Sequence, residues 1–279
     1  MEEESFMNIK QKTVLAGTSL LAAIALSACG QSDASEALST ESLTIGVTGG
    51  PHQQIAEKVK ELAAADGLEL DIKVFNDYNT PNTALDEGSL DVNSYQTLSF
   101  LELQKSDKGY KIDDVFKTVA FPMGLYSDKL TDIEELKEGD KVAVPNDPAN
   151  ELRALRLYET AGLITLKEGL TDKATKRDIA ENPLNLEFIE LEASQLPTQL
   201  PEVALAAINT NFAMGAGLSI NEDALFHEDT VDNPYPNYVV VRTDNKDDEV
   251  VETLKSYYHS DEVRTFIEET FDGSIVPAF

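Results

Sequence analysis

Residues 43–75 read LTIGVTGGPHQQIAEKVKELAAADGLELDIKVF, and the order of elements in this stretch decides the fold. Leu43 to Thr48 alternates as a strand does, with Ile45 and Val47 on one face. Gly49, Gly50 and Pro51 then turn the chain into a segment whose apolar residues Ile55, Val59 and Leu62 are spaced by four and three, as on one side of a helix. Gly67 closes that helix, and Leu68 to Phe75 reads as a second strand. Strand, helix and strand in this order predict a crossover between parallel strands and hence an α/β fold.

The alternation continues outward. Asn82 to Asp86 reads as a short helix ending at Gly88, Leu90 to Val92 as a short buried strand, and Tyr95 to Gln104 as a helix. Val115 to Tyr126 is a long apolar segment broken by Pro122. Leu130 to Leu136 is helix-like, Lys141 to Val144 a strand, and Asn150 to Ala161 a helix stopped by Gly162. Leu186 to Leu191 and Ala206 to Ile208 read as strands around a proline-rich stretch, Leu196 to Leu205. Tyr238 to Val241 is the last strong strand, followed by helices at Glu249 to Tyr258 and Asp261 to Phe271. The pattern predicts largely parallel pairing, with Val115–Tyr126 and Tyr238–Val241 as places where the chain passes between two halves.

The first residues address the chain rather than fold it. Lys10 and Lys12 form a short basic segment, Val14 to Leu26 is apolar or small, and Leu26-Ser27-Ala28-Cys29 matches a bacterial lipobox. Such a run is too short to span a bilayer and predicts a signal peptide over 1–28. The chain's single cysteine, Cys29, then becomes the lipidated (palmitate-bearing) first residue. Glu2 to Glu4 sit ahead of the basic segment, which favours Met7 over Met1 as the start. Residues 29–42 are small and polar and read as a flexible tether. A lipid on one cysteine holds a protein at a membrane without making it span. The expected place is therefore the extracytoplasmic face of the cell membrane.

The 279 residues carry 51 acidic against 22 basic side chains, a net charge of −29. That charge repels phosphates and argues against nucleic acid as a partner. Enzyme signatures are missing: no G-x-S-x-G, no H-E-x-x-H, and no phosphate-binding glycine loop of the P-loop type. His52, His227 and His259 lie far apart, and no cysteine remains in the body for a metal. Asp128, Asp132, Glu134 and Glu135 lack the spacing of a calcium loop and read as a solvated face. No cofactor or metal is expected.

Two turns suit an anion. Gly49 to His52 joins a strand to a helix start, where free N–H groups favour negative charge, though a tight turn needs the same glycines. Asn146 to Arg153 repeats the arrangement with a formal charge added. Two readings of Arg153 stand: a surface arginine near a helix start, or a guanidinium fork for a carboxylate. Tyr78, Tyr95, Phe100 and Tyr126 lie near strand ends, where open α/β sheets bind ligands, as do Asn209 and Asn237.

Taken in order, VTGGPHQQI (47–55), FNDYNTPNTALDEGSLDVNSYQ (75–96), FPMGLYS (121–127), VAVPNDPANELRAL (142–155), AAINTNFA (206–213), NPYPNYVVVR (233–242) and FDGSIVPAF (271–279) resemble the methionine-binding lipoproteins of ABC importers, the NlpA lipoprotein family. The resemblance runs over the whole chain after the tether. It implies a two-lobed periplasmic-binding-protein fold, with residues 43–121 plus 238–279 as one lobe, 122–237 as the other, two crossover segments, and a ligand cleft between them. It also implies that Arg153 takes an amino-acid carboxylate, that Asn209, Asn237 and Asn150 add polar contacts, and that Tyr78 and Tyr95 line the side-chain pocket.

This chain departs from the family pattern where Thr97 replaces a histidine and Phe100 a tyrosine. The resemblance thus implies a monomeric, lipid-anchored binding protein, not an enzyme, that delivers L-methionine or a related amino acid to a permease and its ATPase. Thr97 and Phe100 leave open a different amino acid or a methionine-containing dipeptide. A lipoprotein enzyme using Asp77 or Glu151, or a surface adhesin on the same fold, are the readings from other classes.

Overall fold

The structure, a computed structural model, describes residues 37–279. The signal segment and Cys29 lie outside the described residues. In chain order the elements are β1 (Ser42–Thr48), α1 (Pro51–Ala65), β2 (Glu69–Phe75), α2 (Thr80–Asp86), β3 (Val92–Thr97), α3 (Leu98–Lys108), β4 (Ile112–Ala120), β5 (Gly124–Tyr126), β6 (Lys141–Pro145) and α4 (Pro148–Thr160). There follow β7 (Thr165–Leu166), β8 (Ile179–Glu181), β9 (Glu187–Leu191), α5 (Leu196–Gln199), β10 (Leu205–Ile208), α6 (Thr210–Gly215), β11 (Ala224–His227), β12 (Pro236–Arg242), α7 (Glu249–Tyr258), α8 (Asp261–Phe271) and β13 (Val276–Pro277).

The opening stretch folds as a parallel crossover. Leu43 lies beside Leu70 and Ile45 beside Ile72, while α1 buries Ile55, Ala56, Val59 and Ala63 against the sheet. Gly50 makes the turn between β1 and α1 with φ at 89°, a left-handed conformation that a side chain would strain. The six-stranded sheet runs β13-β4-β12-β3-β1-β2, and a five-stranded sheet runs β11-β5-β10-β6-β9. Each has its own core: Val47, Val59, Val241, Leu254 and Ile267 for the first, and Val142, Val144, Leu155, Tyr158 and Leu205 for the second. Among the described residues no helix is long and apolar enough to cross a membrane.

Pairing is less parallel than the alternation predicts. β1 pairs in parallel with β2 and β3, and β6 with β9 and β10. However, β12 lies antiparallel between β3 and β4, and β5 antiparallel to β10 and β11. The cause is the route of the chain. β5 and β12 each enter a sheet directly from the other one, with no helix to return them to the parallel sense.

The passages between sheets lie at 121–123 and 228–235, so Tyr238–Val241 is inside β12 rather than at a passage. The sheet pairing of β12 starts at Pro236, ahead of residue 238. The helix expected over Tyr95–Gln104 begins only at Leu98, because Tyr95 to Thr97 complete β3. Leu130–Leu136 holds a single 3₁₀ turn, Ile133–Glu135. At the start, the segment read as tether is already docked by Leu38. Its side chain is buried in the first core and its N–H donates to Asp248 at 2.8 Å.

Candidate functional site

The turn after β6 builds one wall. Asp147 is the N-cap of α4: its carboxylate accepts from the Asn150 N–H at 2.9 Å and from Asn150 Nδ2 at 3.0 and 3.1 Å. This fixes the Asn150 amide, whose Oδ1 accepts from Asn209 Nδ2 at 2.8 Å. Asn209 Oδ1 is left buried with no hydrogen-bond partner among the described residues. A buried acceptor without a donor is costly unless something else supplies one.

One turn along α4 lies Arg153, only 5% exposed. Its fork is not free for a ligand, as the sequence reading expects. Nε donates to Glu228 Oε1 at 2.8 Å and Nη2 to Glu228 Oε2 at 2.6 Å. Nη2 also donates to the Phe121 carbonyl at 2.5 Å, and the guanidinium lies 4.3 Å over the Tyr235 ring. Nη1 is the edge that no described residue engages. Burial opposes the Glu228 charge, but Arg153 and the Met123 N–H outweigh it and hold that carboxyl below its ordinary range.

The opposite wall comes from the first sheet. Thr48 Oγ1 and His52 Nδ1 lie 2.8 Å apart, and His52 Nε2 and Asn237 Oδ1 3.3 Å apart. Burial lowers the His52 pKa to about 4, against the Asn237 bond, so the ring is neutral at physiological pH. Nε2–H then donates to Asn237, and Nδ1 accepts from Thr48. The chain of bonds reaches the other half of the molecule through Asn211 on α6, which donates to Thr48 Oγ1 at 3.5 Å and accepts from the Tyr78 hydroxyl. Asn237 Nδ2 donates to no described residue.

Aromatic rings complete the enclosure. Tyr78 meets Tyr95, Phe100 and Phe212 at centroid distances of 5.9, 6.0 and 4.7 Å. The Tyr95 hydroxyl donates to the Tyr78 carbonyl at 2.9 Å, which sets the two rings. Thr97 is the N-cap of α3, accepting from the Phe100 N–H at 3.4 Å.

These walls surround a closely lined cavity, with about 370 Å³ of space between its atoms. Tyr78, Tyr95, Thr97, Phe100, Asn150, Arg153, Asn209 and Asn237 all line it. So do His52, Gln96, Phe121, Thr210 and Asn211, which the sequence reading does not select. Asn211 stands two residues beyond Asn209, and His52 in the Gly-Gly-Pro-His turn, so a wider reading of those two turns finds both. Gly49 and Gly50 themselves face an outer groove. Tyr126 is buried in the core of the second sheet instead.

The arrangement is suited to holding rather than converting. Asp77 lies in the turn before α2, accepting from the N–H groups of Asn79 and Thr80. Glu151 points away from the cavity and accepts from the Lys176 N–H at 2.8 Å. Among the described residues no cluster of ligating side chains could hold a metal.

Glu151 gives a measurable pH effect. Its burial, and then the neighbouring Glu190, raise its pKa to about 7, against the pull of the Lys176 N–H and charge. Between about 4.5, the ordinary value, and about 7 the folded state holds a proton that the unfolded chain has lost. Stability therefore falls as pH rises through that window and is level above it with respect to this group. Glu151→Gln is expected to flatten this fall in melting temperature measured from pH 4.5 to 7.5. An unchanged slope refutes the assignment.

Comparison with known proteins places this geometry. The family model described as NlpA lipoprotein matches residues 43–279. The chain is 42% identical over 273 residues to the D-methionine-binding lipoprotein MetQ of Salmonella typhi, covering 97% of this chain and 99% of that protein. It is 41% identical, over the same shares, to the protein of that name from Escherichia coli K12. A nutrient binding protein from Burkholderia cenocepacia, solved bound to methionine, superposes with a TM-score of 0.83 at 43% identity, covering 85% of this chain and all of that one. The crystal structure of the methionine binding protein MetQ gives a TM-score of 0.83 at 41% identity, covering 86% and 99%.

Proposed function

From its membership of the NlpA lipoprotein family, which the match over residues 43–279 establishes, we propose that the chain is the methionine-binding component of an ABC importer. The observation that carries this reading is the pairing of unmet polar groups in one cavity. Arg153 Nη1 and Asn237 Nδ2 offer donors for a carboxylate, and Asn209 Oδ1 offers an acceptor for an ammonium. Tyr78, Tyr95 and Phe100 receive the thioether side chain, since sulfur and aromatic rings attract at about 5 Å. Asn150 holds the Asn209 amide in place. The lobes, 43–121 with 238–279 and 122–237, close on the ligand about the passages at 121–123 and 228–235. The protein works as a monomer held by lipid at Cys29 on the extracytoplasmic face, and passes its ligand to a permease driven by an ATPase.

A second reading, a methionine-containing dipeptide, is favoured by one observation. Thr97 lines both the cavity and an outer groove of about 540 Å³ bordered by Ser99, Lys117, Asn233 and Tyr235. Thr97 is the residue that the two spaces share.

The chain has no tryptophan, so mass is a better probe than fluorescence. Native mass spectrometry of the purified protein is expected to show the added mass of methionine, whereas a dipeptide gives a larger one. Methionine at 100 times its Kd adds about 2.7 kcal/mol. For a chain of this size that raises the melting temperature by roughly 5–10 °C. Titration of each enantiomer decides the preference. No shift with either enantiomer or with short methionine peptides refutes the reading.

A further inference from the structure

Glu228 does not line the cavity, yet it determines what charge the cavity presents. Its two oxygens take the whole Nε–Nη2 edge of Arg153. Oε2 also accepts from the Met123 N–H at 2.9 Å and from Asn233 Nδ2 at 3.1 Å, and the Glu228 N–H donates to the Met123 carbonyl at 3.0 Å. The carboxylate is therefore held from both passages between the sheets. With His52 neutral, Arg153 is the one cation at this wall and Glu228 is the carboxylate in direct contact with it; the Asp147 carboxylate stands behind Asn150 and is engaged by that residue's N–H and Nδ2.

We infer that Glu228 is a specificity-determining residue, cancelling the Arg153 charge so that the cavity accepts a net-neutral zwitterion and turns away the corresponding anion. The inference rests on the amino-acid reading of the site. In an enclosed site the cost of desolvating an anion is not repaid by a guanidinium already paired with a carboxylate. A zwitterion brings its own positive end, and Asn209 Oδ1 is the buried acceptor waiting for it. Without the Glu228 charge Arg153 would face the cavity with no carboxylate in contact, and the site would favour anions more than it does now.

The test compares methionine with its 2-hydroxy analogue, an anion of nearly the same shape whose hydroxyl still donates to Asn209. Calorimetric titration is run on the wild type, Glu228→Gln and Glu228→Asp, each checked for folding by circular dichroism. The wild type is expected to bind methionine at least ~100-fold more tightly than the hydroxy acid. Glu228→Gln is expected to narrow that ratio at least ~tenfold, chiefly by better binding of the hydroxy acid, while Glu228→Asp keeps the wild-type ratio. An unchanged ratio in Glu228→Gln overturns the inference and leaves Glu228 a structural tie. If Glu228→Gln does not fold, the wild-type comparison decides, and a gap below about tenfold overturns the inference. Failure of the wild type to bind either compound instead refutes the amino-acid reading itself.

Discussion

Arg153→Ala is expected to lower methionine affinity by at least ~1000-fold, the upper range for truncating a buried, hydrogen-bonded charge. The substitution removes the Nη1 donor edge. It also frees the Phe121 carbonyl and the face of Tyr235 from the group that covers them. Its effect on stability should be large too, because Glu228 is left charged in a nearly closed site. Removing one member of a buried pair costs about 3–5 kcal/mol. Loss of binding must therefore be separated from loss of fold. In Arg153→Ala/Glu228→Ala the stranded carboxylate is gone, so the melting temperature is expected to recover part of its fall while methionine affinity stays lost. Recovery of affinity in the double variant, measured by calorimetry, would show that Arg153 supports the structure and not the ligand.

Asn82→Ala is expected to give the largest loss of stability that does not touch the ligand. Asn82, Asn93 and Gln96 form a closed triangle of amides, each nearly inaccessible to water. Asn82 Nδ2 donates to Gln96 Oε1 at 2.7 Å, while Asn82 Oδ1 accepts from Asn93 Nδ2 at 2.9 Å and from Gln96 Nε2 at 2.6 Å. Gln96 Nε2 reaches Asn93 Oδ1 at 2.9 Å and closes the figure. The alanine deletes one corner and strands two amides in a space water does not reach. The cost is about 3 kcal/mol, or a fall in melting temperature of roughly 6–12 °C for a chain of this size. Gln96 also lines the cavity, so methionine affinity should fall by about tenfold, far less than for Arg153. A melting temperature within 2 °C of wild type, by calorimetry at about pH 7, would refute the triangle's role.

Much of this was legible from residue order, because period and punctuation are local. Gly50 and Pro51 mark the start of α1, which begins there, whereas α4, read from Asn150, begins two residues earlier at Pro148. Apart from Tyr126, residues read as candidates at separate strand ends converge on one cavity, since α/β strands end on the same side. Long-range partnership was not legible. A buried arginine demands a counter-charge, but nothing marks Glu228 among 51 acidic residues as the one that meets it. The antiparallel entry of β12 was hidden for the same reason: a strand's own residues do not state its neighbours. Asn82, Asn93 and Gln96 look like ordinary polar residues until α2 and β3 are packed together. Asn209 is the reverse case, where the side chain was chosen from order and only the structure supplied its reason, an acceptor without a donor.

Leu38 bears on how far the protein travels. With its side chain seated in the first core and its N–H on Asp248, the folded body begins by Leu38 rather than at Ser42. A lipid at Cys29 would then be separated from the folded body by only the residues between 29 and 38. Even fully stretched, that leash reaches about 30 Å. It would tie the first sheet close to the bilayer. Capture and hand-over would then take place within one protein diameter of the membrane, with no room for a distant search.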